Sequence, residues 1–88
     1  MIVKIDHSFE KDVNALRNAK THKQIFYMID DVKKAISIEA INGIKKLKGY
    51  KNHYRIRIGD YRAGLIIDGD TVEFARFLHR KDIYKRFP

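Results

Sequence analysis

The segment Tyr54-Arg-Ile-Arg-Ile-Gly-Asp-Tyr-Arg62 decides the fold, because its apolar and basic residues alternate with a period of two. Successive side chains of a β-strand point to opposite faces, so the tyrosine and isoleucines share one face while Arg55 and Arg57 share the other. Gly59-Asp60 supplies a turn, after which Arg62 is expected to rejoin the arginine face. The segment therefore predicts two antiparallel strands with three arginines on one side.

Further strand signals follow towards the C-terminus. Residues 61–68 predict a strand, Asp68-Gly69-Asp70 a hairpin turn of the Asp-Gly type, and residues 71–78 a third consecutive antiparallel strand. Residues 81–87 predict a short terminal helix or tail.

The N-terminal part predicts one strand and a short helix. Residues 2–5 form an apolar run typical of a strand. Three apolar residues then recur at the spacing of one helix face: Phe9, Val13 and Leu16. Ser8 is expected to cap this helix through its hydroxyl, and the helix is expected to close near Asn18.

A second helix gives the strongest periodic signal in the sequence. Thr21 and Gln24 have the spacing of a capping box, which predicts a helix start at Thr21. The apolar face continues through Ile25, Met28, Ile29, Val32 and Ile36. Residues 37–48 could prolong the helix or form an irregular connector, with a break at Asn42-Gly43.

These elements follow the order β-α-α-β-β-β, with a short C-terminal helix or tail. The order predicts an α+β fold in which two N-terminal helices pack on one face of a small, mostly antiparallel sheet. At 88 residues and 10.4 kDa, the chain is expected to form one domain over residues 1–88.

The positive charge lies almost entirely in the second half. The chain carries 19 Lys and Arg against 11 Asp and Glu, a formal charge of +8. Residues 1–44 hold seven basic and six acidic side chains, whereas residues 45–88 hold twelve and five, including six of the seven arginines. The planar guanidinium fits phosphate oxygens well, so phosphate is the leading ligand class.

Composition argues against several other classes of protein. The absence of cysteine excludes disulfides and thiolate sites, and the five dispersed glycines form no phosphate-binding loop. The four histidines show no metal-ligand spacing, so we expect a metal-independent protein without a cofactor. Without a signal peptide or an apolar run of membrane-spanning length, a cytoplasmic location and no membrane partner are expected.

Two interpretations of the arginine face remain open from the residues alone. It could be the solvated side of an antiparallel hairpin, or it could bind an anion and stabilise a pentavalent phosphate transition state. The segment from His79 to Tyr84 adds an imidazole that can transfer protons near neutral pH and a phenol that can stack on a base.

Three motifs together resemble the RelE/ParE superfamily of toxin-antitoxin toxins, and most of all its RelE branch. They are Lys46-Leu-Lys-Gly49, Tyr54-Arg-Ile-Arg-Ile-Gly-Asp-Tyr-Arg62 and Phe77-Leu-His-Arg-Lys-Asp-Ile-Tyr84. The resemblance implies a toxin that cleaves messenger RNA on the ribosome and is neutralised by a small antitoxin wrapped around it. It also implies a toxin-antitoxin heterotetramer that binds operator DNA through the antitoxin.

The resemblance assigns roles by position. Arg55 and Arg57 match basic strand positions that contact the scissile phosphate, Arg62 matches the arginine that opens the next strand, and Arg80 matches an arginine that stabilises the leaving group or transition state. Tyr84 matches a tyrosine that stacks on or orients the nucleotide. The remaining basic residues expected to bind RNA are Lys46, Lys48, Lys51, Arg76, Lys81, Lys85 and Arg86.

One departure from the family pattern changes the expected proton transfer. Some members have lysines where this chain has Arg55 and Arg57, and a guanidinium stays protonated, so both arginines are expected to act as electrostatic clamps. His79 is then the leading candidate for proton transfer. Positioning and charge stabilisation without a strong base are the alternative.

Three other functions fit the same motifs. The chain could belong to the gyrase-inhibiting ParE branch, which shares the fold without the nuclease chemistry. It could be an inactive relative that only binds RNA. The basic face could also serve solely as the docking surface for an acidic antitoxin.

Overall fold

A five-stranded sheet forms the centre of the computed structural model, which describes residues 1–88. Its strands are β1 (Ile2–Ile5), β2 (Ile44–Lys46), β3 (His53–Ile58), β4 (Tyr61–Asp68) and β5 (Thr71–His79). The spatial order is β1-β5-β4-β3-β2, and all neighbours are antiparallel except β1 and β5, which are parallel. The predicted α+β class and the three consecutive antiparallel strands are confirmed.

Two helices cover one face of this sheet and enclose the main core. They are α1 (His7–Ala15) and α2 (Ala19–Lys34). The core brings together strand residues, the apolar faces of the helices and one residue of the connector after α2. Its members are Phe9, Ile25, Met28, Val32, Ile41, Ile56, Ala63, Leu65, Ile67, Val72, Phe74 and Phe77. No helix of the structure has the length and apolar character needed to cross a membrane.

The caps of both helices differ from the predicted ones. Asp6, not Ser8, caps α1, since its carboxylate accepts the Ser8 backbone N–H at 2.9 Å. Asn18, not Thr21, caps α2 by accepting the Thr21 N–H at 3.1 Å, which places the buried Thr21 in the first turn. Asp and Asn serve as N-caps at least as well as Ser and Thr, so residue type alone did not separate the candidates.

The helix ends also correct the predicted pattern. The first helix ends at Ala15 instead of near Asn18. The second ends at Lys34 because Ala35 adopts an extended conformation, which leaves Ile36 95% exposed although its spacing matched the apolar face. Helical periodicity carries no information beyond the last helical residue.

The connector after α2 contains a strand that the sequence did not predict. A 3-10 turn (Ile38–Ala40) leads into Gly43, whose φ of +73° favours glycine, and β2 then pairs with β3. This edge strand has only three residues, so its period-two pattern is too short to recognise.

A short third helix lies on the sheet face opposite α1 and α2. The helix α3 (Ile83–Arg86) confirms the predicted terminal element, and Ile83 and Phe87 are buried outside the main core. A Cβ atom on Gly64 would lie 2.6 Å from Cδ2 of Phe87, so the ring packs directly over the glycine backbone. The structure is therefore layered as helices, sheet and a partial cover formed by α3.

Candidate nucleic-acid interface

The pairing of β3 with β4 brings three arginines to one sheet face. Arg57 lies directly opposite Arg62, and Arg55, two residues along β3, lies opposite Gly64. Directly opposed residues of antiparallel strands point to the same side. The predicted arginine face, defined here as Arg55, Arg57 and Arg62, is thus confirmed as a common face, and it lies on the side away from α1 and α2.

The carbonyl oxygen of Gly43 holds one of these arginines in place. It accepts a hydrogen bond of 2.8 Å from Nη1 of Arg55 and one of 3.2 Å from the backbone N–H of Arg57. A Cβ on Gly43 would lie 3.3 Å from the Arg57 carbonyl oxygen, so glycine also permits the close approach of the two chains. Nε of the half-buried Arg55 is buried and has no protein partner.

The turn between β3 and β4 holds two further arginines. The carbonyl oxygens of Gly59 and Tyr61 each accept a hydrogen bond from Nη1 of Arg62 at 2.9 Å. The carbonyl of Asp60 accepts the backbone N–H of Arg80 at 2.8 Å. Three consecutive carbonyls therefore fix the Arg62 guanidinium and the chain position of Arg80 to the same turn.

The arginine face and Arg80 have no acidic partner. The structure contains two ion pairs, Lys34 with Asp30 and Arg76 with Asp12, and neither involves the arginine face. Arg57 and Arg80 are exposed, and their guanidinium groups make no hydrogen bond to the protein. Like charges gathered without a counter-charge favour binding of an anion.

Arg76 has a structural contact that was not expected from the sequence. Its Nε donates to Oδ2 of Asp12 at 2.8 Å and its Nη2 to Oδ1 at 3.2 Å, while the backbone N–H of Phe77 also donates to Oδ2, at 3.0 Å. This hydrogen bonding to Asp12 raises the pKa of the Arg76 guanidinium. The charge of Arg76, one of the residues expected to bind RNA, is therefore already paired within the protein.

His79 lies on the other face of the sheet. It pairs with Tyr61, whose ring stacks on the buried Phe77, whereas Leu78 is the residue opposite Arg62. Nδ1 of His79 accepts the backbone N–H of Lys81 at 3.1 Å. Strand alternation therefore places His79, the candidate for proton transfer, on the side of the sheet opposite the arginine face.

The exposed basic residues expected to bind RNA fall into two groups. Lys48 and Lys51 occupy the loop between β2 and β3, while Lys81, Lys85 and Arg86 lie in and next to α3. Lys46 pairs with Tyr54 and therefore belongs to the helix-covered side of the sheet edge. Lys45, which the sequence did not single out, pairs with Arg55 and shares the arginine face.

Tyr84 is exposed on α3, next to the loop between β2 and β3. It lines a cleft of about 340 Å³ together with Lys48 and Tyr50, a second exposed tyrosine that the sequence did not single out. Proximity of the loop and α3 arises only in three dimensions, so no local pattern indicated this pairing. No cluster of three or more His, Asp or Glu side chains that could hold a metal ion occurs in the structure.

The fold and this surface define a small α+β protein with three arginines on one face of its sheet. No protein-family model matches the chain. The chain is 44% identical over 84 residues to a curated protein, Toxin RelE3 of Methanocaldococcus jannaschii, and the alignment covers 92% of each.

Solved structures of RelE toxins also resemble this chain. A chain of the RelB-RelE antitoxin-toxin complex from Methanococcus jannaschii superposes with a TM-score of 0.81 at 40% identity, covering 97% of this chain and 99% of that one. A chain of the archaeal RelE-RelB complex from Pyrococcus horikoshii shares the fold, with a TM-score of 0.73 at 20% identity over 90% of this chain and 93% of that one. The chain belongs to the RelE family of toxins from toxin-antitoxin systems.

Proposed function

We propose that the protein is an endoribonuclease toxin that cleaves messenger RNA on the ribosome, without a metal ion or cofactor. The observation that carries the proposal is the β3–β4 register, which gathers Arg55, Arg57 and Arg62 on one face without a carboxylate partner. Membership of the RelE family supports the same activity. Arg55 and Arg62 are moreover held by backbone carbonyls, as a pre-positioned phosphate site requires.

The reaction is a phosphoryl transfer within the RNA. The 2′-oxygen attacks the adjacent phosphorus and forms a P–O bond, while the bond from phosphorus to the 5′-oxygen breaks. The 2′-hydroxyl proton leaves to solvent or a nearby acceptor, and the departing 5′-oxygen takes up a proton. The products are a 2′,3′-cyclic phosphate and a 5′-hydroxyl.

The arginines supply charge stabilisation in this scheme. A pentavalent phosphate carries more negative charge on its oxygens than the ground state, and guanidinium groups already held in place stabilise it without reorganisation. Gly43 and the β3–β4 turn provide that positioning for Arg55 and Arg62, and the exposed Arg57 and Arg80 complete the set. Tyr84 stacks on or orients a base beside them.

His79 supports the site from the opposite side of the sheet in this proposal. Its Nδ1 holds the Lys81 N–H, and the turn at Asp60 holds the Arg80 N–H, so together they orient the segment that carries Arg80. This geometry favours a positioning role over direct proton transfer. The reaction then depends on in-line placement of the message and on electrostatics more than on a strong general base.

The partners proposed are messenger RNA, the ribosome and a cognate antitoxin. The exposed basic residues expected to bind RNA are Lys48, Lys51, Lys81, Lys85 and Arg86. Lys45 and Lys46, in the edge strand β2, are expected to contribute as well. The relatives crystallised as RelB-RelE complexes support the antitoxin, and a heterotetramer that binds operator DNA through that antitoxin is proposed with it. An antitoxin that covers the arginine face would block RNA directly.

Incubation of the purified protein with translating ribosomes, followed by primer extension on the message, tests the proposal. We expect primer extension to stop at new 5′ ends within the ribosome-bound message, and the upstream fragment to end in a 2′,3′-cyclic phosphate. RNA binding without cleavage would identify an inactive relative. An intact message combined with inhibition of DNA gyrase would identify the ParE type of activity.

A further inference from the structure

A second feature of the basic side of the molecule is the cleft between the β2–β3 loop and α3. It encloses about 340 Å³, and its walls come from two separate elements. The lining residues are Leu47, Lys48, Tyr50, Tyr84, Phe87 and Pro88. The lining contains apolar and aromatic surface, one lysine and no acidic side chain.

The aromatic side of this cleft is fixed by packing. The ring centroids of Tyr50 and His53 are 5.4 Å apart, and those of His53 and Phe87 are also 5.4 Å apart. Phe87 in turn packs against the backbone of Gly64 in the sheet. Tyr50 is therefore held at the end of a row of three rings, although it is 48% exposed. Its ring offers a flat surface to a ligand and would lose little conformational entropy on binding.

The charge around the cleft selects the kind of ligand. The loop and the end of β2 contain Lys45, Lys46, Lys48 and Lys51 and no acidic residue, and these lysines line an adjoining cleft of about 600 Å³. Exposed aromatic rings next to closely spaced cations are the arrangement that binds single-stranded nucleic acid, since every base has a face that stacks. Two exposed rings beside closely spaced lysines match the bases and phosphates of an RNA strand, so the cleft favours RNA over an acidic peptide.

We propose that this cleft is a nucleotide subsite in which an RNA base stacks on Tyr50, between the β2–β3 loop and Tyr84, while the adjoining phosphate contacts Lys48. The inference rests on the proposed ribonuclease function and adds Tyr50 as a binding residue outside the arginine face. The subsite would hold a nucleotide neighbouring the scissile phosphate and so help to place the message in line for cleavage.

Binding of a short, fluorescein-labelled 2′-O-methyl RNA oligonucleotide of mixed sequence tests the subsite, because blocked 2′-oxygens prevent cleavage. Fluorescence anisotropy should show that Tyr50→Ala weakens binding about 5- to 150-fold, the range expected for loss of one stacked base. Tyr50→Phe keeps the ring and should bind like the parent chain. Phe26→Ala is the control, since Phe26 is an aromatic residue of α2 that is 69% exposed and does not line the cleft.

Salt dependence separates the two parts of the subsite. Tyr50→Ala should leave the slope of log K against log salt unchanged, whereas Lys48→Gln should reduce its magnitude by about 0.7, the value for one phosphate contact on a single strand. Upfield shifts of the Tyr50 ring protons on addition of the oligonucleotide to the parent protein provide a second readout that needs no variant.

The outcomes distinguish failure of this subsite from failure of the proposed function. Unchanged affinity in Tyr50→Ala together with weakened binding in Arg57→Ala would overturn the subsite and leave the ribonuclease proposal standing. Binding of polyglutamate that depends on Tyr50, with RNA binding that does not, would also overturn the subsite by identifying a peptide site. Absence of RNA binding by the parent chain, both free and in ribosome assays, would overturn both proposals.

Discussion

The two faces of the sheet have opposite properties although they are built from the same strands. The face under α1 and α2 is closed by twelve buried apolar residues, and Phe74 and Phe77 both pack in edge-to-face geometry with Phe9. The other face carries the arginines and only the short α3, with Ile83 and Phe87 as its buried residues. Alternation along the strands therefore assigns stability to one face and ligand binding to the other.

Removal of a core side chain should give the largest effect on stability. Phe74→Ala deletes a fully buried ring on the helix-covered face and should lower the free energy of unfolding by about 3–5 kcal/mol. Urea unfolding followed by circular dichroism measures the change. The control is Phe26→Ala, because Phe26 is 69% exposed and its loss should change stability by less than about 0.5 kcal/mol. Equal effects would contradict the assignment of stability to the core beneath α1 and α2.

Loss of the contact between Asp12 and the edge of β5 should give the second-largest effect on stability. Asp12→Ala leaves the partly buried Arg76 without its counter-charge and the Phe77 N–H without its acceptor, so a loss of about 1–3 kcal/mol is expected. Asp30→Ala breaks the exposed pair with Lys34 instead and should leave the free energy of unfolding nearly unchanged. The same unfolding assay compares the two, and a larger loss in Asp30→Ala would contradict this ranking.

Gly64→Ala should disturb only the packing of α3 on the side of the sheet that carries the arginine face. The added methyl group collides with the ring of Phe87, so α3 should separate from the sheet while the main core stays folded. Hydrogen exchange should show faster exchange for the Phe87 amide, which donates to Ile83, with β4 and β5 unchanged. Global loss of protection would show that α3 is part of the main cooperative unit.

The smallest effect on the cleavage rate is expected from variants of His79, whose Nδ1 accepts the Lys81 N–H. Asn at this position can accept the Lys81 N–H two residues ahead, as in an Asx turn, whereas glutamine is one bond longer. His79→Asn should retain most of the cleavage rate, and His79→Gln should lose about 5-fold, the equivalent of one hydrogen bond. Loss of cleavage in both variants, with a pH profile that loses its histidine step, would restore proton transfer as the role of His79.

The sequence predicts the arginine face well because all the information is local. Alternation within β3 and a short turn at Gly59-Asp60 suffice to place Arg57 and Arg62 on one side. The helix caps were missed for the opposite reason, since several adjacent residues can cap and only the path of the chain selects Asp6 and Asn18.

Features that depend on register or on distant contacts could not be predicted. Gly64 pairs with Arg76 and Leu65 with Phe74, so Ala75 is an extra residue that alters the alternation of β5 and hence the side on which His79 lies. The partner of Arg76 lies 64 residues away in α1. Pairing of the three-residue β2 also decides that Lys45, and not Lys46, joins the arginine face.

The cleavage rate of a ribosome-bound message by Arg62→Ala tests the central claim most directly. Arg17→Ala is the matched control, since Arg17 is exposed between α1 and α2, away from the arginine face. Removal of one positioned donor should lower the single-turnover rate about 100- to 1,000-fold with unfolding stability preserved, while Arg17→Ala should cleave like the parent chain. Cleavage by a folded Arg62→Ala at the parent rate would contradict the assignment of the arginine face as the site of phosphate cleavage.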